Sequence, residues 1–240
     1  MKIVAGLGKN QKVIKAIENV DFEVIQTKSE EELVKLLFNG HADAAIRGSL
    51  SASKILVQLK EKYPNIARAS FIDLKGHKFL LAPVGIDEGD KLKQKLYIAK
   101  EGSQFLTSIG IKPKLGILSG GRSQDYGRST KVDDSLNQGK LLTSLIQKQS
   151  INTKHYHILI EDAIKEGSNL IIATDGICGN LIFRTLIHLG NATSHGAITL
   201  GMKEIFIDTS RSQNIQGYEN ALKFAYYLAN LKKKNLTLIK

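Results

Sequence analysis

The chain contains no tryptophan, one cysteine, three prolines and only 6% aromatic residues among 240. So few rings argue against a surface that reads nucleic acid by stacking bases. One cysteine, Cys178, excludes an intrachain disulfide and suits a reducing compartment. No apolar run reaches transmembrane length, and Met1-Lys2-Ile3-Val4 begins as a strand with no signal-peptide pattern. A cytoplasmic protein without membrane contact is expected. Lys154, His155 and His157 lack the spacing of a metal site, so no metal is expected. There is no internal repeat and no low-complexity segment.

What is present is ordinary in amount and unusual in sign. Hydrophobic residues make up 42% and charged residues 24%, within the range of globular domains, and the length allows one large domain or two small lobes. The net charge is +11 with a pI near 9.6. The lysines are dispersed, and the one dense run, Lys232-Lys233-Lys234, follows an apolar helix pattern over 221–231. Cations there complement a helix C-terminus, which reads as capping and solubility and argues against nucleic acid as a partner. The field of the whole chain favours small anions.

Strand and helix patterns alternate from the start, which predicts a parallel α/β sheet. A strand over 2–7 meets Gly6-Leu7-Gly8-Lys9-Asn10. Gln11 stands where a dinucleotide fingerprint needs its third glycine, so this is a strand-to-helix turn with free amides and no full nucleotide motif. A strand over 22–26 precedes Ser29-Glu30-Glu31-Glu32, which has the form of a capping box. A third strand over 42–46 ends in Arg47-Gly48-Ser49, and either Ser51 or Ser53 can cap the helix over 54–62. Runs over 67–74 and 78–82 read as a hairpin, followed by a long helix over 90–108. Gly110 and Pro113 then mark a lobe boundary.

After a strand over 114–118 comes Ser119-Gly120-Gly121-Arg122-Ser123-Gln124-Asp125-Tyr126-Gly127-Arg128-Ser129-Thr130, the most polar loop of the chain. Glycines let amides approach an anion and arginine grips phosphate in a fork, so Ser119, Gly121, Arg122, Arg128, Ser129 and Thr130 are candidate anion ligands. Asp134 is expected to cap a helix over 135–149, followed by a strand over 152–157 and a helix over 158–166. The stretch over 169–212 gives the strongest lead. A buried strand, Leu170 to Ala173, leads to Thr174-Asp175-Gly176-Ile177-Cys178-Gly179, with Asn180 as helix cap. Cys178, just ahead of a helix start, could be a nucleophile, but a small buried hydrophobe fits better. Two short strands follow, the second ending in Asp208-Thr209-Ser210-Arg211. A strand delivering hydroxyls and an arginine at its carboxyl end is how open α/β sheets build anion sites. A helix over 215–231 and a strand over 236–239 close the chain.

Gly179-Asn180-Leu181-Ile182-Phe183-Arg184, then Gly196, Gly201, Lys203 and Ser210-Arg211, resemble the phosphate acetyl- and butyryltransferases. The stretch Ala42 to Ser49 resembles the fatty-acid phosphate acyltransferases. The Arg-x-x-Asp-x-Gly-Arg loop, Arg122 to Arg128, resembles a divergent branch found in methanogens. That branch is the methanogenesis marker protein 4 family, also labelled the X subunit of a methyltransferase. The resemblance implies a two-lobed α/β/α architecture of the isocitrate dehydrogenase-like, phosphotransacylase-like kind, with a cleft between the lobes. It implies a first lobe of 1–112 plus 210–240 and a second of 113–209. It further implies transferase chemistry on a phosphate-bearing or acyl-CoA-like anion, with coenzyme A or phosphate as substrate and no tightly bound cofactor. Carried over, the acyl-transfer roles fall on Ser210 and Arg211, with Arg47, Ser49, Gly179 and Asn180 as further binding residues. A homodimer and an enzyme partner in methanogenesis are expected with it. The aspartate those transferases place after the arginine is missing: 212–218 holds no carboxylate, and Glu219 is the nearest acid. A non-catalytic accessory protein that kept the anion site is therefore the alternative expectation.

Overall fold

A computed structural model describes residues 1–238. In chain order its elements are β1 (Ile3–Gly6), α1 (Lys12–Glu18), β2 (Val24–Thr27), α2 (Glu30–Phe38), β3 (Ala44–Ile46), α3 (Ala52–Lys62), β4 (Ala67–Leu74) and β5 (His77–Ala82). Then come α4 (Leu92–Ser108), β6 (Lys114–Leu118), α5 (Thr130–Gln147), β7 (Asn152–His157), α6 (Ile160–Lys165) and β8 (Leu170–Ile172). The chain closes with α7 (Gly176–His188), β9 (Thr193–Leu200), β10 (Ile205–Asp208) and α8 (Ile215–Leu238). This is a mixed α/β fold with mostly parallel strand pairs. Contacts divide it into two compact units, one of Met1–Ile66 with Ser194 onward and one of Ala67–Thr193.

In the first unit the strands run β2-β1-β3-β10-β9, parallel except for the antiparallel β10–β9 pair. Strand alternation decides what each face buries. Val4, Ala45 and Phe206 point to α2 and α3, where they meet Leu33, Leu37, Ile55 and Leu59. The alternate residues face α8, which packs on β3 and β10 with α1 beside it. Ser29 caps α2 by accepting from the Glu32 amide at 3.1 Å. The reciprocal half of the capping box is absent, because the Glu32 carboxylate is held by Thr27 Oγ1.

In the second unit the order is β4-β5-β8-β6-β7. The β4–β5 hairpin turns at Lys75-Gly76, both at positive φ, and the remaining pairs are parallel. β5 pairs with β8, so the hairpin and α4 belong with 113–193 and not with the lobe of 1–112 that the resemblance implies.

Three expected local features differ. α5 starts at Thr130 under a Ser129 cap, five residues before the helix expected behind Asp134. α7 starts at Gly176 under an Asp175 cap, so Asn180 lies inside the helix. The strand expected over 236–239 is a continuation of α8 as far as Leu238, while Ile239 lies outside the described residues. No helix among the described residues is long and apolar enough to cross a membrane. No group of three or more His, Cys, Asp or Glu among them could hold a metal ion.

Candidate functional site

Three neighbouring parallel strands of the first unit, β1, β3 and β10, present their carboxyl ends side by side, where α/β sheets collect ligands. The three following loops are locked together. Gly48 sits at φ +60°, and a Cβ there would lie 1.9 Å from the Gly6 carbonyl oxygen, so only glycine fits. Ser49 Oγ accepts from the Gly8 amide at 2.8 Å, and Thr209 Oγ1 donates to the Gly48 carbonyl at 2.7 Å.

Arg47 is consumed by this lock. Its guanidinium pairs with the Asp208 carboxylate and donates to the carbonyls of Leu50, at 2.8 Å, and of Thr209. Its side chain is 7% exposed and that of Asp208 11%. Arg47 and Ser49 thus act here as supports for the loops.

The Ser210-Arg211 turn stands on this platform. Tyr218 Oη donates to the Ser210 carbonyl at 2.9 Å, and Asn10 Nδ2 donates to the carbonyls of Arg211 at 2.9 Å and Gln213 at 3.1 Å. Burial pushes the Tyr218 hydroxyl up to about 12, so it stays a neutral donor across the working range. Ser210 and Ser212 share a hydrogen bond between hydroxyls at 2.9 Å. Arg211 is exposed and has no ion-pair partner among the described residues. Glu219, the nearest acid downstream, is held by Lys223 at 2.6 Å and Asn19 at 3.4 Å, and the Lys223 ammonium lowers its pKa.

In the second unit the polar loop after β6 is folded on itself. The amides of Gly120, Arg122 and Gly127 donate to Ser135 Oγ, Asp125 Oδ2 and Asp133 Oδ1 at 2.8, 2.8 and 2.7 Å. Ser129 caps α5, Thr130 is that helix's first residue, and Gly121 packs against Val132 and Asp125. Arg122 is exposed. The Arg128 guanidinium, 75% exposed, is 3.4 Å from Asp125. Ser119 is buried, and its Oγ shares a hydrogen bond with His155 Nε2 at 2.9 Å. Burial first, and then the His157 ring stacked 4.2 Å away, push the His155 pKa down to about 4.

Gly176 and Gly179 let α7 press on the backbone after β5. A Cβ on Gly176 would lie 1.5 Å from the Gly85 carbonyl oxygen, and one on Gly179 1.9 Å from that of Pro83. Asn180 Nδ2 donates to the Val84 carbonyl at 2.9 Å. The Gly-Asn pair therefore docks a helix.

Of the expected residues, Ser210, Arg211, Arg47 and Ser49 share the β1–β3–β10 end of the first unit, and the other eight belong to the second. Sequence reading missed Asn10 and Tyr218, whose partners are chain-distant carbonyls with no pattern in the sequence. It also missed Lys95, which is buried on α4. Lys95, Ile98, Ala99, Gly102 and Leu106 fall on one buried helical stripe, so a lysine in phase with apolar neighbours was the available signal.

No protein-family model matches the chain. It is 44% identical over 224 residues to a protein of Methanosarcina barkeri described as "Putative methyltransferase mtx subunit X", covering 91% of this chain and 81% of that one. It is 40% identical over 231 residues to an "Uncharacterized methyltransferase" of Methanocaldococcus jannaschii, covering 91% and 94%. Among solved structures it is similar to a branched-chain phosphotransacylase from Enterococcus faecalis, with TM-score 0.75, 17% identity and 95% and 99% coverage. It is also similar to the EutD phosphotransacetylase from Staphylococcus aureus, with TM-score 0.65, 15% identity and 95% and 94% coverage. At these identities the solved structures establish a phosphotransacylase-like fold and nothing finer.

Proposed function

We propose that this chain, which belongs to the family described as "Putative methyltransferase mtx subunit X", binds a phosphate-bearing or coenzyme A-like anion at its Ser210-Arg211 turn and serves a group-transfer reaction of methanogens. One observation carries the reading. Asp208 neutralises Arg47, while Arg211, presented at the same strand ends on a turn fixed by Asn10 and Tyr218, has no ion-pair partner among the described residues. An exposed guanidinium carried on such a fixed turn is available for a bidentate bond to phosphate or carboxylate. In this reading Ser210 Oγ, which shares a hydrogen bond with the Ser212 hydroxyl, donates to an oxygen of the same anion. Coenzyme A or phosphate enters as substrate; no tightly bound cofactor is part of the proposal. A homodimer, and a methyl-transfer partner as the relatives' "subunit" label implies, complete it.

The residues 212–218 include no carboxylate, and Glu219 is tied to Lys223. Acyl transfer here would run without a general base, at a cost of about 10²–10⁴-fold in rate. This specific lack favours, as second reading, an accessory subunit that binds the anion for a partner enzyme. Incubation of the purified chain with acetyl-CoA and phosphate tests both. Binding of either ligand with slow accumulation of acetyl phosphate supports the transferase. Binding without product supports the accessory subunit. Absence of binding by both ligands overturns the proposal.

A further inference from the structure

A pocket of about 1050 Å³, built wholly from second-unit residues, opens beside the carboxyl ends of β6 and β8. Its walls are apolar: Val132 from α5, Ile160 from α6, and Ile177, Leu181, Ile182 and Leu186 from α7. Ile177 and Leu181 are 59% and 61% exposed, so this apolar surface has no cover of its own. Volume and lining suit a small organic ligand.

The polar groups decide what kind. Two lysines, Lys95 and Lys131, stand against three aspartates, Asp90, Asp134 and Asp175. The lining thus carries one net negative charge in a chain whose total is +11. An anion of the sort proposed for Arg211 is poorly served here. Lys95 is buried, and one of its three N–H bonds is spent on the Thr174 carbonyl at 2.6 Å. The others are available to an acceptor in the pocket. Gln138 Oε1 is buried without a hydrogen-bond partner among the described residues, which asks for a donor. Burial also lowers the Lys95 pKa against the pull of Asp175 and Asp90, so the ammonium itself is poorly solvated.

We infer that this pocket is a binding site for an apolar-tailed molecule with an uncharged, amide-like head, whose carbonyl accepts from Lys95 and whose N–H donates to Gln138. The inference is independent of the anion site. It assigns to the chain a second ligand class, selected against by negative charge.

Cys178 lines the same pocket and is the chain's one cysteine, so its alkylation reports occupancy. The rate of N-ethylmaleimide labelling is measured with octanamide, hexanamide, octanoate and octylamine, with free cysteine as reagent control. Octanamide is expected to slow labelling at least about fivefold at saturation. Hexanamide should need roughly tenfold more ligand, from two fewer buried methylenes. Octanoate should need at least about tenfold more, being repelled by the lining. Lys95→Met should weaken octanamide by roughly tenfold. Leu181→Asp, at an exposed wall position that leaves folding intact, should remove the protection. No protection by octanamide overturns the inference. So do octanoate or octylamine protecting at lower concentration than octanamide, or full protection surviving in Leu181→Asp.

Discussion

Replacing Arg47 by methionine should destabilise the protein severely, although the residue belongs by sequence to a set of candidate anion ligands. The side chain is 7% exposed, its partner Asp208 is 11% exposed, and the guanidinium also serves the carbonyls of Leu50 and Thr209. Removing one partner of a buried pair leaves the other charge without its counter-ion, at a cost of ~3–5 kcal/mol. Most of that loss comes from stranding Asp208, so Arg47→Met/Asp208→Leu should recover a large part of it. Arg211→Met, at an exposed residue with no ion pair, should change stability by less than about 0.5 kcal/mol. Urea unfolding at pH 7, followed by circular dichroism, gives all four stabilities on one scale. A loss below about 1 kcal/mol in Arg47→Met, or a double variant no more stable than the single, would refute the division between a structural Arg47 and a binding Arg211.

The His155 ring gives a pH signature. Its folded pKa of about 4 lies below the unfolded value of 6.5, so both states are mostly neutral at pH 7. As pH falls from 6.5 toward 4 the unfolded chain takes up a proton that the folded chain refuses, and stability drops. The ring is partly buried, and the shift, worth about 3 kcal/mol unscreened, is discounted for solvent screening to ~1–2 kcal/mol. His155→Gln should lack this component; a wild-type-minus-variant difference that stays constant between pH 7 and 4 contradicts it. Gly179→Ala would put a methyl 1.9 Å from the Pro83 carbonyl oxygen and should cost ~1–3 kcal/mol in thermal unfolding. A neutral effect there would show that α7 does not dock as described.

The periodic parts of the fold were legible from sequence. Apolar runs such as Leu170–Ile172 and Ala44–Ile46 became parallel strands, and Ser29 became a helix cap, because short-range pattern and local hydrogen bonding decide them. Helix starts in the glycine-rich segments were read late. Ser129 outcompetes Asp134 as cap, and Asp175 caps α7 because Gly176 and Gly179 must sit inside the helix to clear the 83–85 backbone. That clash lies between chain-distant segments and leaves no local trace. The Ser210-Arg211 turn was visible as a motif, but its supports, Asn10 and Tyr218, act through backbone carbonyls that any residue carries. The same holds for Arg47: only the folded arrangement shows that Asp208, 161 residues away, has already taken its charge.

The most direct test of the anion site is calorimetric titration of coenzyme A and of phosphate into the wild-type protein and Arg211→Ala, at low and high salt. The account predicts saturable, salt-weakened binding to the wild type and a loss of roughly 10–100-fold in Arg211→Ala with unchanged unfolding. Equal affinity in both proteins, or no binding to either, would contradict it.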